Sequence, residues 1–210
     1  MAKSEKKIPS RIKDKKKTWY KLIAPKEFGN KVLGESYLET ADVGQSRTFI
    51  INLKDITGNI RDQNAYVHFL VDKVEGSQLH TKAIGYELTA AFVKRLVRKN
   101  SDRLDTFSTL KTADGKQFVL KGLLLTTNKT HQTIRAALRK EYDLFFQEEA
   151  SKSDTETFIS NVVSYKLQST LKRKLSKIYP LREVSVRMLK VMSQATDASQ
   201  PVQQKVVQPA

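Results

Sequence analysis

Three histidines, His68, His80 and His131, and two acidic pairs, Asp102 with Asp105 and Glu148 with Glu149, are the residues of this 210-residue chain whose types could support acid–base or metal chemistry. Such chemistry needs its groups gathered at ligand or proton-transfer spacing. The histidines show no spacing that suggests shared ligation. His68 and His80 could face one another across a hairpin, yet they read as satisfied strand residues. The acidic pairs lie beside basic residues in loop-like or helix-surface contexts and read as solvated charges. No glycine-rich lysine loop or dinucleotide fingerprint offers a nucleotide a seat. The sequence has no cysteine, which excludes disulfides, thiolate zinc sites and cysteine nucleophiles and suits a reducing compartment. The expectation is a protein that is not an enzyme, with no catalytic residue, metal, cofactor or small-molecule substrate.

Cations carry the chemistry that remains. Lysine and arginine number 38 against 22 aspartates and glutamates, a formal net charge of +16, and an excess of this size concerns partners more than fold. It is densest at the start, where Lys3, Lys6, Lys7, Arg11, Lys13, Lys15, Lys16 and Lys17 run into Trp19 and Tyr20 with only Glu5 and Asp14 opposing them. A polybasic arm ending in aromatics points to nucleic acid. Its self-repulsion predicts disorder over residues 1–17 until a polyanion supplies counter-charge. Trp19 itself, a lone tryptophan at a strand start, is expected to pack in the core, with base stacking as the alternative. A membrane surface is not the expected partner, because the arm offers only Ile8, Pro9 and Ile12 as apolar anchors. No stretch has the length of a signal-peptide core or a membrane span, so a cytoplasmic location is expected.

Two further basic groups sit on predicted helices. Lys129 and His131 open one, where exposed amides and positive charge would seat a phosphate, and Arg135 and Arg139 follow one turn apart. Lys172 and Arg173, with Lys174 and Lys177, lie on another beside an apolar stripe.

The elements that must position these groups follow from periodicity and punctuation. Residues 18–125 read as a strand-rich region with one helix: strands over 19–23, 31–38, 47–53, 65–74 and 78–88, separated by Pro25, Gly29-Asn30, Gly44, Gly58-Asn59 and Gly76-Ser77. Tyr66, His68 and Leu70 alternate with Val67, Phe69 and Val71, a pattern apolar on both faces that suggests a barrel or a covered sheet. A short helix is predicted over 89–100, then strands over 104–110 and 117–125 joined across Thr112-Ala113-Asp114-Gly115, where glycine can supply the positive φ of a tight reversal. Residues 126–192 read as a helical region ending in a strand. A helix over 128–149 buries Ile134, Leu138, Leu144 and Phe145. Ser153-Asp154-Thr155-Glu156 reads as a capping box. From it one amphipathic helix is predicted, with Phe158, Ile159, Val162, Val163, Leu167, Leu171, Leu175 and Ile178 on its stripe, stopped by Pro180. A strand over 181–191 alternates Val184, Val186 and Met188 with Ser185, Arg187 and Leu189. Residues 193–210, where Ser, Gln, Ala, Thr and Pro take over, read as a disordered polar tail.

Several of these segments are similar to a known family in the same order. Lys17-Thr18-Trp19-Tyr20-Lys21-Leu22-Ile23-Ala24-Pro25-Lys26-Glu27-Phe28, followed by Gly34, resembles the opening of the S-three-a-e family of archaeal and eukaryotic small-subunit ribosomal proteins. Asp114-Gly115, then His131, Ile134 and Arg135, keep the expected order, and Ile178-Tyr179-Pro180-Leu181 leading to Val184, Val186 and Arg187 resembles its helix-to-strand junction. The resemblance covers about residues 3–192, and the short C-terminus looks archaeal. It implies an α+β protein with a β-barrel-like core and flanking amphipathic helices. It also implies a structural role on the platform of the small subunit, near the messenger exit and the end of the subunit's RNA. The partners would be small-subunit ribosomal RNA and neighbouring ribosomal proteins. A free RNA-binding assembly or translation-regulating factor would carry the same charge signature.

Overall fold

The computed structural model describes residues 16–192. The expected arm lies outside them except for Lys16 and Lys17, and the expected tail lies outside them entirely. The chain is α+β and its described residues divide into two compact units, one of residues 16–49 with 69–82 and one of residues 50–68 with 83–192.

In the first unit, β1 (Thr18–Ile23) pairs antiparallel with β2 (Val32–Leu38), Trp19 opposite Tyr37 and Lys21 opposite Glu35. Three further strands, β3 (Thr48–Asn52), β4 (Ala65–Glu75) and β5 (Gln78–Leu88), each run through both units. On the other side of β1, Lys21 to Ile23 pair in parallel with Gln78 to His80 of β5. Strand alternation points Leu22 inward, where it meets Leu38, Val71 and Leu79, with Tyr20, Leu33, Phe49 and Val74 packed around them. Burial on β4 is one-sided. Ala65, Val67, Phe69 and Val71 are buried, whereas Tyr66 is exposed and His68 and Leu70 are half-buried. The expected two-sided cover fails there because the amphipathic ends of Tyr66 and His68 keep their water.

The second unit holds the helices. A short α1 (Leu53–Thr57), capped by the Asn52 side chain, went unread in the sequence. In α2 (Ala90–Leu96) the Thr89 hydroxyl accepts from Phe92 N, fixing the start of the predicted helix. Strands β6 (Arg103–Lys111) and β7 (Gln117–Thr126) form the predicted hairpin, with Gly115 at φ 75°. Along β6 burial alternates strictly: Leu104, Thr106, Ser108 and Leu110 point inward and Arg103, Asp105, Phe107, Thr109 and Lys111 outward. The last strand, β8 (Leu181–Met192), lies between β7 and the end of β5, antiparallel to both. A bulge at Arg187, between Gly122 opposite Val186 and Lys121 opposite Met188, reverses the alternation. Leu189, not Met188, therefore joins Val184 and Val186 in the core. Among the described residues β2, β3 and β6 each pair with a single strand and are the ends of the ladders.

Helix α3 (Gln132–Lys152) buries Leu138, Tyr142, Phe145, Phe146 and Ala150. Leu144 falls off that stripe and is exposed, contrary to expectation. Its aromatics form a chain of ring contacts: Tyr142 to Phe146 at 4.7 Å, Phe146 to Phe158 at 6.4 Å and Phe158 to Phe118 on β7 at 5.9 Å between centroids. Gly122 on β7 makes room for Tyr142, since a Cβ there would sit 2.2 Å from the phenol oxygen.

The long helix predicted after residue 153 is two helices, α4 (Thr155–Val163) and α5 (Lys166–Leu175), broken at Tyr165 with φ 63°. The buried stripe shows why: it steps from Val162 to Leu167, five residues where a continuous helix needs three or four. At the break, the Tyr165 hydroxyl bonds to Ser185 Oγ at 2.9 Å, donates to Val184 O at 3.0 Å and also contacts Glu183, all on β8. The buried Gln168 amide donates to Val162 O at 2.9 Å, satisfying a carbonyl at the end of α4. Ile178, expected on the stripe, is exposed beyond the end of α5. The capping box also gives way. Asp154 is the N-cap of α4 without a side-chain cap bond, and the Asp114 carboxylate, from the β6–β7 turn, accepts from Thr155 N at 2.9 Å.

Candidate nucleic-acid interface

At the start of α3, His131 is the N-cap, and Lys129, His131 and Arg139 are exposed. An acid of the same chain stands beside the expected phosphate seat, bound to the residue just ahead of the N-cap. Asp102, just before β6, accepts from Thr130 N at 2.8 Å and from Thr130 Oγ1 at 3.0 Å and lies 4.0 Å from Arg135 Nε. The Thr130 amide, ahead of the threonine hydroxyl and the nearby Arg135 and Lys129, holds the Asp102 carboxyl below the usual carboxylate range, against the upward pull of burial. Asp102 is thus no solvated charge, as its spacing had suggested, but a clamp tying β6 to the approach of α3. Arg135 is half-buried beside it, which leaves Lys129 and Arg139 as the outward cations of this group, with the His131 imidazole also exposed.

Asp114 is depressed in the same way, first by the backbone bond from Thr155. Both carboxyls ionise more readily folded than unfolded, where an aspartate titrates near about 3.9. Their contribution to stability is present above that pH and is lost as pH falls through the lower folded values. Changing both to Asn should lower the melting temperature at pH 6, and the gap to the unaltered protein should close as pH drops from about 4 toward 2. Thermal melts followed by circular dichroism across that range check this. A gap independent of pH would mean the two carboxylates hold nothing together.

On α5 the two predicted cations part company. Lys172 Nζ donates to Arg182 O at 2.7 Å and lies 3.9 Å from Glu183 Oε2, tying the helix to β8. Arg173 is exposed. Lys174 pairs with Glu141 of α3 at 3.0 Å with its ammonium 5.6 Å from the Phe145 ring centre, and the hydrogen bond to Glu141 raises its pKa. Lys166 and Lys177 are exposed with Arg173.

Lys3, Lys6, Lys7, Arg11, Lys13 and Lys15 lie outside the described residues; Lys16 and Lys17 are exposed at the entry to β1. The expectation that Trp19 packs in the core is overturned: it is 63% exposed, and its cross-strand partner Tyr37 is 51% exposed. With Leu22 fixed inward and Tyr20 half-buried on the same side, alternation sends Trp19 and Lys21 outward. That phase was readable from Leu22, but the general preference of tryptophan for cores outweighed it.

The remaining candidates bring no site together. His68 Nε2 lies 3.7 Å from Glu87 and His80 Nε2 3.4 Å from Glu75, so each imidazole faces a glutamate and not the other histidine. Asp105 pairs with Arg103 at 3.0 Å and Glu149 with Lys152 at 3.8 Å, both on the surface. Among the described residues no group of three or more His, Asp or Glu could hold a metal ion, and no helix is long and apolar enough to cross a membrane.

Comparison with known proteins bears directly on these faces. Residues 5–195 match the model of the Ribosomal S3Ae family. The chain is 34% identical over 183 residues to the small ribosomal subunit protein eS1 of Sulfurisphaera tokodaii, covering 86% of this chain and 95% of that protein. It is 32% identical over 189 residues to eS1 of Sulfolobus acidocaldarius, covering 89% and 96%. Against eS1 of Saccharolobus islandicus it is 34% identical over 185 residues, covering 86% and 88%. The family match spans both units, and on that ground the chain belongs to the Ribosomal S3Ae family.

Proposed function

We propose that this chain is a structural constituent of the small ribosomal subunit, where it binds and stabilises ribosomal RNA and so supports translation. The observation that carries this reading is coverage: the match extends over 95% and 96% of two archaeal proteins named for that particle. The charge supports it. Exposed cations stand at the entry to β1, at the start of α3 and along α5, each on a framework fixed from behind by packed side chains. Such groups neutralise phosphates of RNA strands that would otherwise repel one another, contacts that position the protein without reading sequence. Lys129, Arg139 and Arg173 serve this way, together with the arm cations, and the exposed His131 imidazole offers a hydrogen-bonding group beside Lys129. Arg135 and Lys172 hold the framework and offer RNA what remains of their exposed surface. Neighbouring ribosomal proteins complete the set of partners, and the location on the platform near the messenger exit follows from the family resemblance. No step of this role calls for catalysis.

Quantitative mass spectrometry of purified small subunits tests the proposal. One copy per particle, retained through a moderate-salt wash, is the expected result. Occupancy far below one would instead indicate a free assembly or translation-regulating factor.

A further inference from the structure

The outer face of β1 and β2 presents two aromatic rings that the fold does not need. Trp19 and Tyr37 are direct cross-strand partners, their centroids 4.8 Å apart and their planes inclined by 38°. Lone exposed aromatics are ordinary on protein surfaces. A contacting pair that is more than half exposed, on a strand whose opposite side is anchored by Leu22, Leu38, Val71 and Leu79, is a rigid platform. Its setting is cationic. Lys17 Nζ lies 5.8 Å from the centre of the Tyr37 ring, and Lys16 and Lys21 are exposed beside it. Two acids of the neighbouring strand temper that charge, Glu35 opposite Lys21 and Glu39 just past Leu38, the partner of Thr18, against the three lysines Lys16, Lys17 and Lys21. The chain entering there carries Lys3, Lys6, Lys7, Arg11, Lys13 and Lys15.

We propose that Trp19 and Tyr37 form a stacking platform for an unpaired RNA base, with the adjoining phosphates held by Lys16 and Lys17. The proposal rests on the reading of the partner as RNA. It adds a second mode of contact to it. The charge at the platform's edge selects a polyanion over an apolar protein segment, and the rings supply what a phosphate contact lacks, a flat surface matching the face of any base. Stacking of this kind tolerates sequence and depends little on salt, whereas phosphate contacts depend on it steeply.

Trp19 is the sole tryptophan of the chain, so its fluorescence reports on this face alone. The experiment titrates the full chain with a short single-stranded RNA carrying an end label, reading binding by anisotropy of the label and stacking by emission of Trp19. Emission should be quenched in step with binding. Trp19→Leu and Tyr37→Leu should each weaken binding about 10-fold while leaving the salt slope unchanged. Trp19→Phe and Tyr37→Phe, which keep a ring, should bind close to the unaltered protein. Melting curves confirm that each variant is folded. Binding with unmoved Trp19 emission and unaffected leucine variants overturns the platform and leaves the RNA reading intact. Absence of any RNA binding by the full chain overturns both.

Discussion

Deletion of residues 1–17 is expected to flatten the salt dependence of RNA binding and to remove most of the affinity at low salt. The segment carries eight cations against Glu5 and Asp14. Each phosphate neutralised contributes roughly 0.7–0.9 to the slope of log affinity against log salt, so full engagement of the segment accounts for a slope near 6. Between 50 and 200 mM salt that corresponds to about 10³- to 10⁵-fold in affinity, a span the truncated protein should largely lack. Its thermal unfolding should hardly change. Lys16 and Lys17 are exposed, and β1 begins after them with its inward residues intact. Filter binding or fluorescence anisotropy at several salt concentrations, paired with melts of both proteins, makes the comparison. An unaltered slope would show that the arm's charge is spent elsewhere than on phosphates.

The second large effect concerns stability. Gly122 is a glycine for space: a Cβ at this position would lie 2.2 Å from the Tyr142 phenol oxygen, 2.3 Å from its Cζ and 2.4 Å from Thr106 Oγ1. Tyr142 is fully buried and in ring contact with Phe146, so it has little room to withdraw. Gly122→Ala should therefore destabilise the protein by about 1–3 kcal/mol, the usual cost of overpacking and a large share of a typical domain's stability of about 5–15 kcal/mol. The clash is specific, so the cost should be non-additive with a shorter residue at the other contact. Gly122→Ala combined with Tyr142→Leu should cost less than the two changes summed. Urea midpoints of the four proteins give the answer. A single variant with the unaltered midpoint would mean that α3 does not lie as closely on β7 as the structure places it.

Local pattern carried much of this fold. Strand β5 begins and ends at its predicted residues, and the β6–β7 reversal rests on Gly115, because alternation and turn chemistry are properties of adjacent residues. What escaped notice depends on partners far along the chain. Asp102 and Thr130 are 28 residues apart, and Asp114 and Thr155 are 41 apart. Nothing near either aspartate marks it as the clamp of a helix that has not yet begun. The break at Tyr165 is similar in kind, since the hydroxyl contacts that reward a left-handed backbone come from β8, some 20 residues on. For the candidate interface, the types of residue were legible and their availability was not. Arg135 and Arg139 share one sequence pattern, yet one faces Asp102 and the other solvent. Lys172 and Arg173 are neighbours in sequence and differ the same way.

The position of β8 also sets a schedule for synthesis. The final strand of the described chain is an interior one, inserted between β7 and the end of β5. While it is still in the exit tunnel of the translating ribosome, both of those strands present open edges, which invite mispairing. The sheet of the second unit is completed only once residues 181–192 have been made, long after the basic segment before β1. A polypeptide made in this order meets polyanions before it is finished, and any that stops short of residue 181 is released with an unsealed sheet.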